Sequence, residues 1–303
     1  MANPMIEVPI TRELRLKRIQ DYIFRMPSLS TTVSKVVEIC NSPATSPNDL
    51  NRVISLDPVL TGRVLKLINS AYYSLVNRAT SLTRAIVMLG LNTVKNLALS
   101  TSVLESLGGE ESFQAFSMDN FWMHSICVGV TAKSLAAIKR VPITDREEYF
   151  VAGLLHDLGK IPLNNLFPEE YVHAMEWAEL QHVHLYQAEN SIFEVDHCMV
   201  GEMIAEKWVL SETITDSLFH HHKPVESREE NRQMVAIVAL ANTYANFLEV
   251  GSSGDRFPED PQATHLLEQV GISWSALLDL RETVLSEIEK ARIFLQLTPK
   301  GVA

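Results

Sequence analysis

Apolar residues recur along this chain at intervals of three and four, and the strict alternation of half-buried strands is scarce. The pattern predicts a first helix from Arg12 to Phe24, broken by Met26-Pro27-Ser28-Leu29. Ser30 or Thr31 caps a second, which puts Val33, Val36, Val37 and Cys40 on one face before Asn41-Ser42-Pro43 ends it. Ser46-Pro47, with Asp49 behind it, and Asp57-Pro58 each supply a cap followed by proline in the first turn. The second of these opens a stripe of Leu60, Val64, Leu67 and Ile68. Ser81 caps a helix through Met88, and Gly90 separates it from one whose Val94, Leu97, Ala98, Thr101 and Leu104 share a face. Gly108-Gly109-Glu110-Glu111 reads as a linker. Beyond it, Asp119 starts a helix to Ala137, Pro168-Glu169-Glu170 one to Gln181, Asp196 one through Trp208, and Ser211 one that ends at His220-His221-His222. Gly251 to Asp260, with Pro258 and Pro261, forms a loop. Two or three amphipathic helices follow from Ala263 to Leu297, whose Leu277, Leu280, Val284, Ile288 and Ile293 pack back on the bundle or bind a partner. The expectation is an all-α protein of two packed helical subdomains, residues 12–107 and 119–250, with a helical extension over 262–297.

Composition narrows the class. At 303 residues, 46% hydrophobic and 21% charged, the chain has what a large buried core needs. No run of about 18 apolar residues stands out, and Met1 to Glu7 lack the basic and apolar regions of a signal peptide, so a cytoplasmic protein without a membrane partner is expected. A net charge of −11 and the lack of a basic stripe speak against nucleic acid as a partner. Cys40, Cys127 and Cys198 stand singly within predicted helices and read as buried thiols, not a disulfide set.

All ten histidines fall in the second half, and one stretch concentrates the chemistry: Phe150-Val151-Ala152-Gly153-Leu154-Leu155-His156-Asp157-Leu158-Gly159-Lys160. Neighbouring residues on a helix point about 100° apart. His156 and Asp157 therefore either form a local buried hydrogen bond or reach together into one polar pocket. Gly159 suits a left-handed helix end, and Lys160 lies within a turn of the pair, where it can meet an anion.

Leu154-Leu155-His156-Asp157-Leu158-Gly159-Lys160 resembles the signature of the HD superfamily of helical metal-dependent phosphohydrolases. Met26-Pro27-Ser28-Leu29, Ile54 to Leu60, Arg63 to Tyr73 and Ser81 to Gly90 resemble the HDOD family within it, as does Asp196-His197-Cys198-Met199-Val200-Gly201. The resemblance runs from about residue 20 to about residue 250 and implies an HD-domain-like bundle in the C-terminal half. It also implies a ligand set of His124, His156, Asp157, His197, His221 and His222 for one or two divalent transition metals, Fe or Mn ahead of Zn or Ni. A bridging carboxylate such as Asp157 suits two cations. His173, His182 and His184 read as surface or packing residues.

Three departures qualify the resemblance. Glu194 stands where many relatives have glycine. Asn242 occupies the place of an aspartate ligand in the related HD-GYP phosphodiesterases, and Lys223-Pro224-Val225-Glu226-Ser227 replaces their Gly-Tyr-Pro loop. The leading expectation is thus a bacterial HDOD-type signal-transduction module acting on a protein partner in trans, with Asn69 to Tyr73 either a helix end or a docking surface. The alternative is a metal-dependent phosphohydrolase acting on a nucleotide or cyclic dinucleotide, in which Lys160 steadies the phosphate.

Overall fold

A computed structural model describes residues 11–40, 42, 44–107, 115–255 and 262–297. The predicted signal-peptide test (Met1 to Glu7), the helix stop at Asn41 and Pro43, the Gly108–Glu111 linker, Pro258 and Pro261 lie outside them. Among the described residues every regular element is helical. The first half contains α1 (Arg12–Arg25), α2 (Thr31–Cys40), α3 (Pro47–Ile54), α4 (Pro58–Ile68), α5 (Leu82–Leu89) and α6 (Leu91–Leu107). The second contains α7 (Met118–Ile138), α8 (Arg146–Leu155), α9 (Lys160–Leu166), α10 (Pro168–Gln181), α11 (Leu185–Phe193), α12 (His197–Lys207), α13 (Glu212–His220) and α14 (Arg232–Leu248). The extension contributes α15 (Ala263–Val270), α16 (Trp274–Asp279) and α17 (Arg281–Ala291).

Side-chain caps set most of the starts. Ser46 and Asp49 form a reciprocal capping box on α3, and Asp57 accepts from the Leu60 amide at 2.9 Å. Ser81, Asp196 and Ser211 cap α5, α12 and α13. On α7 the cap is Ser117, two residues earlier than expected, and Asp119 sits in the first turn against the positive helix end. Helix α11 escaped the sequence reading altogether.

Two helices expected to be amphipathic are buried on nearly all sides. α6 packs on α2, α4 and α5 along one flank and on α8 along another, so Asn96, Ser100 and Thr101 are buried with Val94 and Leu97. Ser100 and Thr101 turn their hydroxyls back onto the carbonyls of Asn96 and Leu97, at 2.9 and 2.7 Å. α7 passes the length and hydropathy test for a membrane span, but 72% of its apolar window is buried inside the protein. It lies between α8 and α14. At the α7–α8 crossing a Cβ on Gly129 would stand 2.7 Å from the Phe150 carbonyl oxygen, and one on Gly153 2.8 Å from the Gly129 nitrogen. Only glycine lets the two backbones approach this closely, and that approach carries His124 toward His156 and Asp157.

The helix-end reading of Asn69 to Tyr73 is the one the structure supports, with Asn69 as the C-cap of α4. Tyr72 is 8% exposed, and its ring meets Phe150 at 5.6 Å and Phe294 of the C-terminal turn at 5.7 Å. Lys133 lies over that ring at 4.4 Å and pairs at 2.6 Å with Glu147, which also accepts from the Tyr73 hydroxyl at 2.6 Å. The segment ends a helix and joins the two halves. The extension packs back through buried Leu277, Val284, Ile288 and Phe294, with Leu280 and Ile293 half-buried. The three cysteines are unpaired: Cys40 is half-buried, Cys127 and Cys198 buried.

Glu194 ends α11 in the left-handed region, at φ 57° and ψ 20°. An L side chain there costs roughly 1–2 kcal/mol, of which glycine's extra freedom in the unfolded chain returns about half. Glu194→Gly is therefore expected to raise Tm by about 1–3 °C in scanning calorimetry. An unchanged or lower Tm would show the position is not strained.

Candidate metal centre

α8 ends at Leu155, and the chain turns through His156, Asp157 and Leu158 before α9 begins at Lys160. Gly159 is not left-handed as expected: its φ is −64°. Its missing side chain serves a different need, since a Cβ there would land on the carbonyl oxygen of His197. The turn is pressed against the start of α12, and His197 reaches Asp157 as a result.

Asp157 is 0% exposed and is ringed by nitrogen. His156 Nε2 lies 3.2 Å from its Oδ2, and His124 Nε2 lies 3.9 Å from the same oxygen. His197 and His221 present Nε2 to Oδ1 at 3.3 and 3.6 Å. His222 Nε2 stands 3.2 Å from His197 Nε2. Asn242 Oδ1 is 3.0 Å from His124 Nε2. All seven site residues expected from the sequence around this dyad are thus gathered by α7, α8, α12, α13 and α14.

The far nitrogens fix which ring atoms face inward. His156 Nδ1 donates to the Gly153 carbonyl at 2.7 Å, and His221 Nδ1 to the Leu218 carbonyl at 3.0 Å. His197 Nδ1 bonds Glu189 at 2.6 Å, and the same carboxylate takes the His197 amide at 2.8 Å and the Tyr171 hydroxyl at 2.6 Å. Carbonyl and carboxylate oxygens only accept, so each Nδ1 carries the proton. Burial, reinforced by neighbouring rings, holds His221 and His222 well below the ordinary histidine range and His124 down at about 4. With its proton on Nδ1, His221 turns a bare Nε2 lone pair toward Asp157. Burial opposes charge on His197 too, but Glu189 outweighs it and holds that ring above the usual range. Burial likewise works against an ionised Asp157, yet His156, Lys160 and His197 keep its carboxyl well below the usual carboxylate range.

Lone pairs facing a carboxylate repel unless a cation lies between them. Accordingly His156 Nε2 and Asp157 Oδ1 make no hydrogen bond although they are buried, and Oδ2 has only the Lys160 ammonium at 2.9 Å. Ligand atoms around a transition metal, each about 2.1 Å from it, stand about 3.0–3.4 Å apart. Most of the separations here are of that size. Two groups have ligand atoms within 4.8 Å of one another, His124 with His156 and Asp157, and His197 with Cys198, His221 and His222. The donor set fits a divalent transition metal, and Asp157 lies between the two groups. Cys198 was expected to stand apart; its place beside His197 adds a thiol that burial pushes up to about 11.

Lys160 does meet anions, and they are the chain's own. Its fully buried ammonium lies 2.9 Å from Asp157 Oδ2 and 3.1 Å from both Ser253 Oγ and Asp255 Oδ2. Ser253, Asp255 and Glu189 were missed from the sequence. Glu189 had a signal, for it falls on the stripe Leu185, Ala188, Phe193 of a helix that went unread. His184, read as peripheral, lies with its ring 5.6 Å from that of His222. His173 and His182 are exposed as expected.

An all-α chain that collects a His-Asp dyad and four further histidines around one buried carboxylate defines a helical protein with an HD-type centre. The chain belongs to the HDOD domain family, whose model matches residues 26–224. It is 25% identical over 243 residues to an uncharacterized protein of Treponema pallidum, covering 79% of this chain and 46% of that one. It is 28% identical over 186 residues to ribonuclease Y of Mycoplasma mycoides, covering 61% and 36%. The chain thus spans less than half the length of these two relatives. A crystal structure of an HDOD domain protein from Geobacter sulfurreducens superposes with a TM-score of 0.72 at 23% identity, covering 93% of this chain and 98% of that one.

Glu189 orients His197 and raises the basicity of its inner nitrogen. Replacing it by Gln keeps the shape and removes the charge. Glu189→Gln is expected to weaken metal affinity about 10- to 100-fold in chelator competition, with the helical circular dichroism spectrum retained. Equal affinity in the variant would show that His197 is not a ligand.

Proposed function

We propose that this chain is an HDOD-type regulatory module of bacterial signalling, cytoplasmic, that acts by binding a protein partner in trans. In this reading His124, His156, Asp157, His197, His221 and His222 hold one or two divalent transition metals, Fe or Mn ahead of Zn or Ni, with Asn242 as a weaker neutral donor. The supporting observation is enclosure: His124, His156, Asp157, Lys160, His197 and His221 are each at most 2% exposed. A nucleotide needs an open approach to the metals and a free cation for its phosphate. Here helices cover the metal-facing nitrogens, and Lys160 is engaged by Asp157 and Asp255. Metal at such a centre offsets buried negative charge and ties five helices together, so its binding energy becomes folding energy.

The partner surface in this reading lies on residues 12–107, which contain no histidine. That region leaves Phe24, Leu56, Val59, Val76 and Val87 largely exposed. The net charge of −11 supports a protein partner over nucleic acid.

A second reading, phosphohydrolysis, rests on the two ligand groups, one of which contains Asp157 while the other faces it through His197 and His221. Metals held there would supply Lewis acidity and an activated water. The two readings part in one experiment on the purified full chain. Elemental analysis should find a transition metal, a chelator should lower Tm markedly, and a panel of nucleotides and cyclic dinucleotides should release no phosphate or monoester above blank. Asp157→Ala should lose the metal and fall in Tm to the chelated level. Metal-dependent turnover that Asp157→Ala abolishes would overturn the module in favour of the enzyme.

A further inference from the structure

The segment after α14 does more than connect. The Ser252 amide donates to the Asn120 carbonyl on α7 at 3.0 Å, and the hydroxyl of Ser253 meets Lys160 at the head of α9. Asp255 then reaches the start of α11, where its Oδ1 accepts from the Leu185 amide at 2.9 Å. His184, the residue at the N-cap position of α11, makes no side-chain cap, so Asp255 caps that helix from 70 residues away. Its other oxygen takes the Lys160 ammonium at 3.1 Å. One carboxylate therefore sits on a helix N-terminus and on a fully buried ammonium, beside a buried hydroxyl. These are the donors that hold phosphates and other oxyanions in proteins. Only Lys160 separates this carboxylate from Asp157.

Charge explains why the arrangement is needed. If Asp157 turns to metal, Lys160 requires an anion of its own, because a lone buried ammonium costs several kcal/mol. Burial opposes ionisation of Asp255, and Lys160 outweighs it, bringing that carboxyl down to about 2. The pair is charged, satisfied and 5% or less exposed.

We propose that Lys160, oriented by its hydrogen bond to Ser253, and the Leu185 amide form an oxyanion site next to the metal centre, and that Asp255 fills it from within the chain as an autoinhibitory contact. The inference rests on the reading of an enclosed, non-turning-over centre and gives that reading its cause: an incoming phosphate-class oxyanion meets a seat already taken. Removing the carboxylate reopens the seat to a small anion.

The test is chemical rescue of Asp255→Gly in the full chain. The variant should lose on the order of 10 °C in Tm. Formate, which matches the deleted carboxylate, and inorganic phosphate should restore part of that loss saturably at millimolar levels, while chloride at equal ionic strength does not. Wild type should respond to neither, and Asp255→Gly combined with Lys160→Met should lose the rescue. If the single variant is recovered only unfolded, its refolding yield in formate against chloride reads the same quantity. Absence of an oxyanion-specific effect on the single variant, or an equal effect on wild type, overturns the proposal. Metal content and turnover of wild type, measured alongside, belong to the regulatory reading: turnover there sinks that reading whatever formate does, and a failed rescue with metal retained and no turnover sinks only the autoinhibitory contact.

Discussion

A carboxylate with no water around it must be compensated by positive charge or protonated, and Asp157 is such a carboxylate. Its desolvation costs several kcal/mol before any partner is counted. Lys160 returns part of this at 2.9 Å. His156 and His221 do not return the rest as hydrogen-bond donors, because their Nδ1 protons are directed outward, to Gly153 and Leu218. What the inner face of the site requires is a cation, and the helices are arranged around that requirement. α7, α8, α12 and α13 each end or pass at Asp157 with one imidazole or more pointed at it.

Close backbone approach is the other condition for the site. The Gly129–Gly153 crossing and the seat of Gly159 on α12 shorten distances that side chains of ordinary size would hold open. α8 therefore works at both ends. At its start, buried Glu147 receives Lys133 and Tyr73; beyond its end stand His156 and Asp157. Burial works against the Lys133 ammonium, but the neighbouring Tyr72 and Glu147 keep it charged above the ordinary lysine range. The N-terminal helices are thus fastened to the helix that carries the dyad, with Phe150 and Phe294 packed at 4.9 Å behind the joint.

The same economy of charge separates structural from catalytic use of the site. A hydrolytic centre needs its cations presented to solvent and its lysine free for phosphate. In this chain the Lys160 ammonium is held between the carboxylates of Asp157 and Asp255.

Sequence alone determined the helical class and most helix starts, because these rest on local physics, while the site residues around the dyad came from the resemblance of short contiguous motifs. A cap such as Ser46 or Asp57 acts on amides three residues away, and the apolar period of α2 or α4 fixes the buried face of that helix by itself. The heptapeptide around His156 was legible for the same reason: its residues are contiguous. Tertiary structure decided what contiguity could not reach. Glu189 and Asp255 matter through contacts to His197 and Lys160, and in the second case 95 residues separate the partners. Gly159 reads locally as a left-handed helix end, yet it is right-handed, and only the carbonyl of His197 explains it. Tyr72, which follows a helix end in sequence, became an interior residue once α7, α8 and the C-terminal turn closed over it, with Tyr73 half-buried beside it. No periodicity within the segment encodes that closure, because burial there depends on helices that come later in the chain.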